Sequence, residues 1–179
     1  MIQLSAMLWV MALFFAIIGF LRGWSKEVVS TAGIILGLFA LFQFDTLIRG
    51  TLLASVSREQ VFLVQAGLFI IVVYFAYQTR AFFGGDRRAA GGRDSLQESV
   101  LGGLLGFLNG YLIWGSLWYF LDINEYPLAP YIIAPAPGSP SDQARSLLPL
   151  VVLGGGVGGS GDLLAVAVII LFLIVLIMI

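Results

Sequence analysis

Few residues of this chain carry side chains capable of chemistry, and three of them stand together in "IIGFLRGWSKEVVS", residues 17–30. Arg22, Lys26 and Glu27 supply two cations and a carboxylate. On one continuous helix Arg22 and Lys26 would share a face and repel mildly, whereas Arg22 and Glu27 would not face each other. A break at Gly23 and Trp24 removes the conflict. Ser25 then caps the second helix, Glu27 meets the positive end of its dipole, and Arg22 can reach back to Glu27. Two readings stay open: the charges are interfacial, snorkelling to water and setting topology, or Arg22 and Glu27 form a partly buried pair that fixes a hairpin or makes a polar site inside a bundle. Asn109, a polar residue in the middle of an apolar run, must also find a hydrogen-bond partner in another helix, a lipid head or water.

Other chemistry is thinly supplied. The chain has no cysteine and no histidine, which removes thiol catalysis, disulfides and imidazole or thiolate metal sites, so no catalytic residue and no metal ligand is identified. No acidic or basic residue falls within 28–44, 61–77 or 100–121, so a proton or ion relay lacks its groups. "GGGVGGSG", residues 154–161, lacks the lysine and the serine or threonine that a phosphate loop needs there. Trp114, Trp118, Tyr119 and Phe120 offer an aromatic surface for a lipid tail or pigment, but no cofactor is implied.

The elements that must position these residues are set by composition. Of 179 residues, 60% are hydrophobic and 11% charged, and the mean hydropathy is +1.02. That describes an all-α integral membrane protein, a polytopic bundle of about five helices. The four main spans are expected over residues 4–21, 28–44, 61–83 and 99–121, the first being retained rather than cleaved as a signal peptide. Asp45–Gln60 reads equally as a short interfacial helix or a loop, and Gly84–Ser95 as a solvated linker. All six prolines lie between Pro127 and Pro149, inside a Pro/Gly-rich connection over 122–162 whose Leu147–Gly159 stretch should line the interface or dip into the protein. Residues 163–179 make a final apolar run of 17, barely long enough to cross.

Six of the nine basic residues (Arg22, Lys26, Arg80, Arg87, Arg88 and Arg93) fall in two connections on one side. The positive-inside rule places those loops, 22–27 and 80–98, in the cytoplasm, with the N-terminus and the proline-rich connection outside. A net charge of −1 points away from nucleic acid, so partners are membrane lipids, other integral membrane proteins or a second copy. Gly33 and Gly37 form a small-xxx-small pair, and Gly102, Gly106 and Gly110 form two more in succession, suited to close helix packing within the chain or between chains. "GFLRG" at 19–23 also returns as "GFLNG" at 106–110, a weak internal echo.

The pattern Gly19, Arg22, Gly23, Glu27, Gly33, Gly37, followed by an apolar span, a basic linker and "ESVLGGLLGFLNGYLIW", resembles the colicin V production protein (CvpA) family over about residues 5–150, including "RSLLPLV" at 145–151. Where relatives tend to carry an arginine in the second glycine motif this chain has Asn109, and it adds a span beyond Gly159. The resemblance implies a small bacterial inner-membrane protein, four-span over residues 1–121, non-catalytic, and implicated in colicin V production or export or in the cell envelope. Two other functions stay open: an accessory subunit of a respiratory or photosynthetic complex docked through the last span, and a small transporter with a path lined by Arg22, Glu27 and Asn109.

Overall fold

The computed structural model describes residues 3–78 and 92–178, so most of the expected linker, together with Phe82 and Phe83, lies outside the described residues. The chain is all-α, with no strand among the described residues. Its helices are α1 (Leu4–Arg22), α2 (Trp24–Gln43), α3 (Asp45–Leu47), α4 (Arg58–Gln78), α5 (Gly92–Ile123), α6 (Pro140–Ala144), α7 (Pro149–Val152) and α8 (Asp162–Met178).

Four of these are long and apolar enough to cross a membrane: α1, α2, α4 and the Ser95–Ile123 part of α5. The fifth, α8, has 17 residues, a rise of about 25 Å against a hydrocarbon layer of roughly 30 Å. Outward faces are apolar. On α1 the exposed residues Val10, Leu13, Phe14, Ile17 and Leu21 form one helical stripe, and Val166, Ile169, Ile170, Leu173 and Ile177 do so on α8. Such faces suit acyl chains, and with lipid outside them the helices are held by packing and hydrogen bonds rather than by a hydrophobic drive.

Helix α2 is central, touching α1, α4, α5 and α8, while α1 makes its broadest contact with α5. The core between them is filled by Ile34, Leu38, Phe69 and Leu112, all at most 1% exposed. Trp118, Tyr119 and Phe120 are buried in this core rather than spread on an outer aromatic surface, with Tyr119 and Phe120 also lining a cleft at its end; Phe120 meets Phe69 edge to face at 5.8 Å.

Two local expectations are corrected, and the proline-rich connection gains detail. Ser25 does not cap α2: the helix begins at Trp24 with Gly23 as its N-cap and no side-chain cap bond. Gly23 adopts φ 83°, a conformation open to glycine, so the chain reverses within one residue and the helix resumes ahead of Ser25. Asp45–Gln60 is neither one interfacial helix nor a plain loop. It is the single turn α3, a π-type turn over Ile48–Leu52 and a bend leading to α4. The proline-rich connection is partly helical, because Pro140 and Pro149 sit in the first turns of α6 and α7, where a missing N–H costs nothing.

That connection folds into the bundle. Leu148, Pro149 and Leu150 are fully buried, and a Cβ on Gly115 would come within 2.8 Å of the Pro149 ring, so glycine is required where the connection crosses α5. Ser141 Oγ lies 3.1 Å from Ser5 Oγ and accepts the Ser5 N–H, tying α6 to the start of α1. Arg145 bridges Asp142 and, at 3.3 Å, Asp122 at the end of α5.

Candidate functional site

Glu27 lies in the first turn of α2, 0% exposed. Its Oε1 receives Arg22 Nη1, and its Oε2 receives Asn109 Nδ2 at 2.7 Å and the Tyr77 hydroxyl at 3.3 Å. Both carboxylate oxygens are therefore engaged within the chain. The Thr31 hydroxyl lies 2.8 Å from both the Glu27 carbonyl and Asn109 Oδ1. Arg22 also donates to Ser30 Oγ at 3.3 Å and to the Tyr77 carbonyl at 3.2 Å, and its guanidinium lies 4.4 Å from the centre of the Tyr77 ring.

The backbone explains the placement. Arg22 is the last residue of α1 and Glu27 stands one turn beyond the Gly23 reversal, so the hairpin brings both to one level. Helix dipoles favour this arrangement: Glu27 is at the positive end of α2, and Arg22 meets a carbonyl at the negative end of α4. The result ties α1, α2, α4 and α5 at one point. Lys26, by contrast, is exposed, so the interfacial reading fits Lys26 and the buried-pair reading fits Arg22 with Glu27.

Glycines bring Asn109 into range. A Cβ on Gly106 would lie 2.9 Å from Gly19 Cα, one on Gly102 would lie 2.9 Å from Gly23 Cα, and one on Gly110 would lie 2.8 Å from Ala12 Cα. Helices α1 and α5 are thus in backbone contact along the Gly102–Gly106–Gly110 stripe. Gly33 faces Ala76 Cβ, where an added Cβ would lie at 2.7 Å, and Gly37 faces Val72, which seats α2 on α4. Both glycine series are occupied inside the chain.

Ser30, Thr31 and Tyr77 escaped the reading of the sequence. Ser30 and Thr31 stand three and four residues after Glu27 in an apolar span, a spacing that marks one helix face. Tyr74 and Tyr77 both stand at the far end of the third apolar run, where an aromatic belt would sit, yet Tyr77 turns inward while Tyr74 stays exposed. A second polar chain was also missed, at the opposite end of the bundle: Asn124 Nδ2 donates to Gln65 Oε1 at 2.8 Å, and Gln65 Nε2 donates to Asp45 Oδ1 at 2.9 Å. Burial pushes the Asp45 carboxyl above its ordinary value, against the opposing pull of Arg49 and of the Gln65 amide. Burial likewise pushes the Tyr126 hydroxyl up to about 12. No group of three or more metal-ligating side chains occurs among the described residues.

Residues 4–134 match the family profile described as colicin V production protein. The chain belongs to that family. No curated protein and no solved structure matches it. The CvpA match spans all four long helices and the whole Arg22–Glu27–Asn109 cluster, and ends before α6, so "RSLLPLV" and α8 lie beyond it.

Proposed function

We propose that this CvpA-family protein is a non-catalytic component of the bacterial inner membrane, working in colicin V production or export or in the envelope by presenting helix faces to other membrane proteins. One observation carries the reading: the strongest polar groups are partnered with each other. Glu27, Asn109, Thr31 and Arg22 close on themselves, and the glycine stripes are filled by neighbouring helices. What faces outward is largely apolar, on α4 as well as in the stripes of α1 and α8. In this reading the polar cluster is a clasp that holds the hairpin in register, and the basic loops face the cytoplasm with the proline-rich connection on the other side.

Purification from native membranes in mild detergent tests it. The expected result is one membrane protein at fixed stoichiometry, displaced when Ile17→Ser or Ile170→Ser breaks an outward stripe. A protein that runs alone, with both variants indistinguishable from it, overturns the reading. A large respiratory or photosynthetic complex as the partner would select the subunit role.

A further inference from the structure

The end of the bundle opposite the clasp holds an open cleft of about 180 Å³, lined by Phe42, Asp45, Tyr119, Phe120 and the backbone of Gly156–Gly159. That volume exceeds the ~150 Å³ known to hold benzene in an engineered cavity. Three polar atoms at this place take no hydrogen bond among the described residues: the Tyr119 hydroxyl, Arg49 Nη1 and Asp45 Oδ2. Tyr119 is 6% exposed and lines the cleft, where its hydroxyl is left for a ligand or water to satisfy. Beside the cleft, Arg49 Nη1 is buried with no hydrogen bond. It forms an ion pair with Asp45 Oδ2 at 3.7 Å, longer than a hydrogen bond, while the Gln65 amide takes Oδ1.

A loose Arg49–Asp45 ion pair with no hydrogen bond between its ends, and a hydroxyl, set against aromatic rings, complement a zwitterion, whose two charges can each take the opposite partner. A primary ammonium brings three donors for a carboxylate and a hydroxyl and is attracted to ring faces, and a phosphate oxygen suits a guanidinium. The position points to a lipid source: the cleft lies where α2 ends, and the exposed apolar residues Phe44, Leu47 and Val157 stand around it, within reach of acyl chains. We propose that this cleft binds the head of a phosphoethanolamine lipid, with its ammonium on Asp45, Tyr119 and the ring faces and its phosphate on Arg49. This site is independent of the protein-docking role.

The test uses the full chain in nanodiscs of phosphatidylglycerol mixed with either phosphatidylethanolamine or phosphatidylcholine, with retained lipid counted by native mass spectrometry. One phosphatidylethanolamine per chain is expected, with phosphatidylcholine retained at least tenfold less, because its ammonium has no N–H to donate. Tyr119→Phe should weaken retention about tenfold, the worth of one hydrogen bond to a charged group. Asp45→Asn, which keeps an acceptor for Gln65, should abolish it at unchanged helix content by circular dichroism. Gly67→Ala, where an added Cβ meets nothing within 4 Å, should leave it unaltered. Equal retention of the two lipids, or full retention by folded Asp45→Asn, overturns the site. Soluble phosphoethanolamine that protects the chain from unfolding, with no lipid retained, overturns the lipid source.

Discussion

The clasp makes an asymmetric prediction. Its two charges sit in different surroundings, the Glu27 side chain 0% exposed and that of Arg22 23% exposed. Arg22→Met keeps the aliphatic stem but leaves a buried carboxylate held only by Asn109 and Tyr77, and removing one partner of a buried pair costs about 3–5 kcal/mol. Glu27→Gln keeps an oxygen for Asn109. It leaves Arg22 with Ser30, the Tyr77 carbonyl and a route to water, so the loss is a charge-assisted bond of roughly 1.5–3 kcal/mol, at the low end because the guanidinium can reach solvent. At roughly 2–4 °C per kcal/mol for a chain of this size, Arg22→Met should lower Tm by about 12 °C and Glu27→Gln by about 5 °C. The Arg22→Met/Glu27→Gln double variant should recover part of the first loss, because no buried charge remains. Thermal unfolding of the three variants in one mild detergent, followed by tryptophan fluorescence and checked by SDS titration, measures this. Equal losses for the two single variants, or a double variant whose loss is their sum, would refute the clasp.

Three further outcomes follow from the same geometry. Asn109→Leu removes the 2.7 Å bond to Glu27 Oε2 and should cost about 1–3 kcal/mol as a buried carboxylate oxygen loses its best partner, visible as a lower Tm. Gly106→Val should force α1 and α5 apart and cost several kcal/mol or prevent folding, whereas Gly67→Ala should be neutral or slightly stabilising; detergent-resistant fluorescence size-exclusion profiles separate the two. The Gly138 N–H and then Arg145 hold the Asp142 carboxyl below its ordinary 3.8. Its contribution is therefore complete above that value and lost as pH falls through the depressed one, so proteolytic cutting near α6 should rise in strong acid, and Asp142→Asn should flatten that dependence.

How much of this the sequence carries is clear from particular residues. Long apolar runs interrupted by charge are enough to specify a helical membrane protein, because a backbone in lipid must satisfy its own hydrogen bonds. The family is legible in the spacing of Gly19, Arg22, Gly23 and Glu27, and the place of the hairpin in the same stretch. Ser25 as a cap was misread because local cap preference cannot foresee that Gly23, at positive φ, reverses the chain by itself.

The tertiary structure alone decided which side of each residue faces protein. Gly102, Gly106 and Gly110 mark a surface for close packing in sequence, but only the fold shows that α1 occupies it. Asn109 announces a need for a partner, and its partner is 82 positions away in Glu27. Tyr77 and Tyr74 look alike in the chain, yet helix rotation sends one over Arg22 and the other outward. The physical reason is common to all three. Composition and period determine that a helix forms and spans, whereas the contacts that satisfy a buried polar group depend on the rotation and depth of helices remote in sequence, which packing sets.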